Sequence, residues 1–274
     1  MFTAGWQRGG GGARAAVMAP RGLKAFLKKS QPAKLVGVGR FKGFVPLRQG
    51  MKTGRKLRGL TKRLEKTVWS RGALPLIART SKSRPGGHWK GKDGGRTRGS
   101  KVDAQLTKLI NGGPALMKKQ LHVYRLTKMV LSGLHERGLE PVMAQRCVIS
   151  ERHRLGTAAD VVCFDKSDNS VVLVELKCGF DSGRTAAAMR KGTACNMRGP
   201  LSGASDCNVH RHLAQLAVTH HLFTSEQQTL DKLGEMGVGK EVKGLLMYAC
   251  DDGVEFFNLA EWWEKRAGKV LDCL

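Results

Sequence analysis

Two short apolar runs constrain this chain more than any other feature. Asp160-Val-Val-Cys-Phe164 is followed by six turn-forming residues, Asp165 to Ser170, and then by Val171-Val-Leu-Val-Glu175-Leu-Lys177. Runs of this length, rich in β-branched residues and bounded by polar turn formers, read as the two strands of a hairpin. A symmetric hairpin closing around 165–170 sets Phe164 against Val171 and, counting back, Asp160 against Glu175. Side chains directly opposed in such a ladder have Cβ atoms about 4.5–5.5 Å apart. Strand alternation puts Glu175 and Lys177 on one face and Leu176 on the other.

Opposed carboxylates repel one another and destabilise a sheet unless something relieves the charge. A divalent cation does so, and the hard oxygens of Asp160 and Glu175 suit magnesium or manganese, with the Leu176 carbonyl as a further ligand. Lys177 then points at whatever anion the cation binds. It can orient or deprotonate a water, or steady a developing negative charge. These are parts for metal-assisted hydrolysis of a phosphodiester.

The charge distribution supplies the polyanion. The 274 residues carry 48 Lys+Arg and 22 Asp+Glu, net +26, but residues 1–100 hold 25 of the bases and only two acids, Glu65 and Asp93. The rest of the chain is nearly neutral. Such a basic segment gains free energy by releasing counterions from nucleic-acid phosphates. No apolar run reaches the 18 or more residues of a transmembrane helix, and no long amphipathic stretch accompanies the charges, so a membrane partner is not expected. Met1 to Gly12 is glycine-rich with no apolar core behind it, unlike a secretory signal; residues 1–45 lack any acid, a bias shared by mitochondrial transit peptides.

The seven cysteines form no C-x-x-C pair, and Cys147, Cys163, Cys178 and Cys250 lie in or beside strand-like runs. They read as small buried hydrophobes in a reducing compartment, with no disulfide-linked partner and no iron–sulfur cluster.

Along the chain, Lys52–Lys66 has leucines at helical spacing and predicts a short basic helix. Residues 81–100 read as a Gly-, Ser- and Arg-rich linker. The expected domains are therefore a largely disordered basic arm, 1–98, and an α/β domain, 99–274. In the latter, helices near 102–110 and 115–137 precede strands at 142–149, 160–164 and 171–177. A polar loop at 179–206, a helix at 209–223, strands at 242–250 and 254–257, and a closing helix with Trp262 and Trp263 complete it. The loop holds Arg184, Arg190, Lys191 and Arg198 directly after the proposed metal ligands. It either tracks a phosphate backbone or is a solvated charged loop. Trp262 and Trp263 are expected to dock the last helix on the sheet rather than to stack on bases.

The order G-x-x-x-D, strand, turn, strand, E-x-K resembles the PD-(D/E)XK nuclease superfamily, in particular its RecB-like and lambda-exonuclease-like branch. Asp160 matches the motif aspartate and Glu175-Leu-Lys177 the (D/E)-x-K. The resemblance covers roughly residues 99–250 and implies a mixed central sheet flanked by helices, a restriction-endonuclease-like core. That branch carries Q-x-x-x-Y on the following helix. Here Gln215 is present, with Thr219 in place of the tyrosine, and His212, Gln215 and Thr219 share a helical face. His212 is either part of the site or a surface histidine. The branch's early G-x-x-x-H corresponds to Gly99-Ser-Lys-Val-Asp103, so Asp103 either approaches the metal or helps start a helix.

The resulting expectation is a magnesium- or manganese-dependent DNA nuclease with catalytic Asp160, Glu175, Lys177 and Gln215. It would act on ends or flaps in replication, recombination or repair, on single- or double-stranded DNA, with RNA as the other candidate polymer. The expected location is intracellular, in a nucleus or at a viral replication site, with the mitochondrion as the alternative. The rival reading is a non-catalytic nucleic-acid-binding or packaging protein on an inert nuclease-like fold.

Overall fold

A computed structural model describes residues 18–36, 43–48, 51–52, 57–69, 95–112, 123–180, 195–239, 241–250 and 253–274. Five long strands form its centre: β5 (Leu139–Ser150), β6 (Leu155–Asp165), β7 (Ser170–Phe180), β8 (Val242–Cys250) and β9 (Gly253–Asn258). They lie side by side in that order, antiparallel throughout except for the parallel pair β7–β8. Helices cover both faces, so the fold is a mixed α/β sheet in a three-layer arrangement.

One face carries α5 (Asn208–Thr224) and α7 (Glu261–Asp272), whose Leu213, Leu216, Ala217, Val218 and Trp263 pack on Val162, Phe164, Val171 and Leu173. The other carries α3 (Gly95–Gly112) and α4 (Arg125–Glu136), with Val102, Leu106, Val130 and Leu134 over Val161, Cys163, Val172, Val174 and Leu176. The parallel step from β7 to β8 runs through α5 and α6 (Gln227–Glu235), as a parallel pair requires a long crossover. Trp263 is buried and Trp262 partly so, edge to face at 4.8 Å between ring centroids, which anchors α7.

The N-terminal third departs from expectation. Within the supposed arm, α1 (Leu23–Lys29), β1 (Ala33–Val36), β2 (Gly43–Arg48), β3 (Met51–Lys52), β4 (Arg58–Gly59) and α2 (Leu60–Thr67) are all formed. Leu23, Leu27, Leu60, Leu64, Val68 and Trp69 are buried in the same core as Phe164 and Leu173. For these residues the disordered-arm reading fails, and the boundary at 98 with it. The reason is geometric: leucines four apart make an apolar stripe on each short helix, while Lys24, Lys28, Lys62 and Lys66 project elsewhere. A charge total cannot register that stripe. Of the basic helix expected over 52–66 the described residues form Leu60–Thr67, with Arg58–Gly59 in a strand instead, and α3 begins at Gly95, inside the supposed linker. Residues 70–94 lie outside the described residues, as do 113–122, which hold the expected start of the second helix.

The N-terminal strands matter to the site because β4 joins β6 in parallel at Leu155 and Gly156. Phe44 lies against Gly156 so closely that a Cβ there would stand 2.5 Å from the Phe44 side chain. Glycine at the head of the G-x-x-x-D sequence therefore has a packing reason.

Candidate active site

The hairpin has the expected register from Asp165–Ser170 through Phe164–Val171 to Val161–Val174, but the ladder ends there, so Asp160 and Glu175 are not the directly opposed pair that counting back predicts. One step further, β7 separates from β6, while β4 takes the same edge at Leu155–Gly156. Asp160 sits in the fork between them. In the ladder's alternation the next N–H on that edge of β7 belongs to Leu176, and Asp160 Oδ2 accepts it at 2.8 Å. The carboxylate thus replaces a strand partner and is fixed in the plane of the sheet. The N–H and C=O of one strand residue share an edge, so the Leu176 carbonyl is directed at the same fork.

Pleating also inverts here. Ala159 and Val162 both belong to the core under α5, although three residues apart in a strand they should face opposite ways. On β5 the same inversion occurs across Gln145, whose φ is 57°, between Ala144 in the α3-side core and Val148 in the α5-side core. Gln145 Nε2 donates to Asp160 Oδ1 at 3.2 Å and to Asp103 Oδ1, on α3, at 2.7 Å. Helix α3 comes this near because Gly99 has no side chain; a Cβ would lie 3.2 Å from the Cys178 carbonyl oxygen.

Glu175 is 1% exposed. Its Oε1 accepts from Gln215 Nε2 at 2.7 Å and from the Lys177 ammonium. Its Oε2 is buried with no hydrogen-bond partner among the described residues. Burial pushes the Glu175 carboxyl up to about 8, against the pull of Lys177 and with help from the charges of Asp160 and Asp103. Burial likewise raises Asp160, opposed by Lys177 and by the bonds from Leu176 and Gln145. Lys177 is drawn down by burial, but the charges of Glu175 and Asp160 outweigh this and hold it above its ordinary value. It is therefore a cation. Of the roles open to it, steadying negative charge is the one an ammonium held at this position fills directly.

Gln215 and Glu175 are thus in direct contact. His212, one turn earlier on α5, is bonded through Nδ1 to the Tyr248 hydroxyl at 2.6 Å. Burial, with the charges of Lys177 and Arg211, holds His212 well below its usual value, so it is a neutral, internally bonded histidine beside the site. Tyr248 stands at the β8 position paired with Lys177. Thr219 does not face the site. It is fully buried, donates to the Gln215 carbonyl at 2.9 Å and meets the Thr157 hydroxyl at 3.4 Å, so it packs α5 on the sheet.

Arg198 also has a framework role. Its Nε donates to the Trp69 carbonyl at 2.7 Å and Nη2 to the Lys66 carbonyl at 2.9 Å, occupying acceptors at the C-terminal end of α2. That use replaces the phosphate contact expected of it. Arg184, Arg190 and Lys191 lie outside the described residues.

Among the described residues no three His, Cys, Asp or Glu side chains converge as a ready-made metal cage. Magnesium does not demand one: it keeps several waters and takes one or two carboxylates. The donor set fits that habit, with two hard carboxylates near one fork and a buried Glu175 oxygen that lacks a partner among the described residues, an arrangement that costs free energy unless a cation or donor meets it. Gln145 and Tyr248 are the components the sequence did not single out. The one signal for Gln145 is a polar Gln145-Arg146 pair inside an otherwise apolar strand.

Comparisons with protein-family models, with curated proteins and with solved structures returned no match to this chain.

Proposed function

We propose that this chain is a metal-dependent nuclease on a restriction-endonuclease-like core, hydrolysing phosphodiester bonds of DNA at ends or flaps. The observation carrying this reading is the buried Glu175 carboxylate, which Lys177 and Gln215 both contact, with the Asp160 carboxylate fixed beside it by the Leu176 N–H. A solvated hairpin has no physical need to bury Glu175 with a second, half-buried acid, Asp160, near enough to raise it. Magnesium or manganese would be held by Asp160, Glu175 and the Leu176 carbonyl, supplying Lewis acidity toward a phosphoryl oxygen and lowering the pKa of a bound water.

The chain's own residues supply the rest. Gln215 fixes the rotamer of Glu175 by donating to Oε1, leaving Oε2 available. The Leu176 N–H fixes Asp160 in the same way. Lys177, charged and partly exposed at the mouth of the site, neutralises the charge that builds on the phosphoryl oxygens as the bond to the leaving oxygen breaks. The basic N-terminal third adds affinity for the phosphate backbone without reading sequence.

The inert-fold alternative draws on one observation: the Lys177 ammonium lies on Glu175, so the pair satisfies part of its own charge. Labelled single- and double-stranded DNA incubated with magnesium, manganese or EDTA separates the two. Cleavage with either metal and none in EDTA supports the nuclease; binding without cleavage in any condition supports the inert fold.

A further inference from the structure

Gln145 carries an inference that rests on the nuclease reading and extends it. Three non-glycine residues among those described have positive φ: Gln145, Arg154 and Asn169. Arg154 and Asn169 lie in turns, where this conformation is useful, but Gln145 lies inside a twelve-residue strand. A left-handed glutamine there is strained, and such strain persists only when its surroundings impose it.

The surroundings do impose it, from both sides. Before the kink, Asn111 of α3 clamps Ala144, accepting from its N–H at 2.9 Å and donating to its carbonyl at 3.1 Å. After it, the fully buried Arg146 donates to the Cys147 carbonyl at 2.6 Å, to Glu226 at 2.7 Å and to the Ser30 carbonyl at 3.1 Å. Three separate elements thus hold one backbone inversion. What the inversion delivers is the Gln145 amide, placed between Asp103 and Asp160 with a donor to each.

We propose that Gln145 is a positioning residue of this site: its carboxamide couples helix α3 to strand β6 and sets the orientation of the Asp160 carboxylate. One Asp160 oxygen is held by the Leu176 N–H and the other by Gln145, so both its oxygens have fixed directions. Without the amide, Asp103 and Asp160 would face one another across the gap it fills, and Asp160 could rotate about the bond from Leu176.

The test uses the full-length chain with Gln145→Gly. Glycine adopts φ near 57° without strain, so the backbone keeps its path while the amide is removed. The variant should still fold cooperatively, the relief of strain at φ 57° offsetting part of the cost of the two lost hydrogen bonds. The magnesium concentration giving half of the thermal stabilisation should rise at least about tenfold, and kcat for DNA cleavage should fall roughly 10- to 100-fold with KM changed little. Gln145→Asn, which also tolerates a left-handed backbone but is one methylene shorter, stands in should the glycine chain not fold, with the same losses expected. If either folded variant keeps the wild-type magnesium midpoint and kcat, the inference is overturned and Gln145 serves the backbone alone. A wild-type chain that neither responds to magnesium nor cleaves overturns the nuclease reading, and this inference with it.

Discussion

Gln215, midway along α5, donates its side-chain amide directly to Glu175 Oε1 at 2.7 Å. One helix residue therefore fixes the rotamer of a buried acid on the neighbouring strand, while the adjacent Leu216 points into the core and is 1% exposed. These neighbours should fail in opposite ways when truncated. Gln215→Ala is expected to lower turnover by about one to two orders of magnitude with little change in stability. Leu216→Ala is expected to cost about 2–5 kcal/mol while the folded fraction retains its turnover. Urea denaturation and single-turnover kinetics on both variants check this.

Glu175 predicts a pH dependence of stability. Its carboxyl is raised from 4.5 to about 8 in the folded chain, so between those values the native state binds a proton that the unfolded state releases. The associated stability is complete below about pH 4.5 and is lost as pH rises through about 8, with a slope near 1.4 kcal/mol per pH unit inside the window. Glu175→Gln keeps the shape and removes the titration, so its stability should vary less between pH 5 and 8. Magnesium competes with the same proton, so its stabilisation of the wild type should be greater at pH 8.5 than at 5.5. Parallel stability profiles for the two chains would contradict the assignment.

Much of this arrangement was legible in the sequence, because strand alternation and hairpin counting are local arithmetic. The 165–170 turn fixes which residues oppose one another, and Glu175, Lys177 and Leu176 fall on the faces that counting gives. Two things were not legible. Gln145 enters the site through a left-handed backbone imposed by Asn111 and Arg146, contacts that no local pattern encodes. The burial of Leu23 and Leu27 was hidden by the lysines around them, and that of Leu60 and Leu64, whose helical spacing is visible, was set aside because composition averages over faces that a helix separates.

Gly156 offers a test of how the N-terminal strands dock. Gly156→Ala places a methyl within 2.5 Å of Phe44, and overpacking of this kind costs about 1–3 kcal/mol. Phe44→Ala in the same chain should recover part of that loss, a non-additivity expected only of residues that touch. Denaturation of the single and double variants gives the coupling; strictly additive effects would mean that the two do not touch.

The basic N-terminal third cannot be tested by deleting it, because removing 18–69 would strip leucines from the core. Residues 70–94 offer a cleaner probe, with six bases: Arg71, Arg79, Lys82, Arg84, Lys90 and Lys92. Replacing all six with alanine should flatten the salt dependence of DNA binding, by about 0.9 in the log–log slope for each phosphate that is no longer neutralised. Binding titrations across a salt series measure it, and equal slopes would show that this segment does not engage the phosphate backbone.

Whether Asp160 and Glu175 hold a catalytic cation is measured by magnesium-dependent cleavage of end-labelled DNA by wild-type and Glu175→Gln chains matched for DNA binding. Gln is isosteric, retains an acceptor oxygen for the Gln215 amide, and lacks the charge a cation needs. The wild type should cleave in a manner that EDTA abolishes, and Glu175→Gln should retain only a trace of that cleavage with DNA affinity nearly intact. Wild-type rates from the Glu175→Gln chain would contradict the cation assignment.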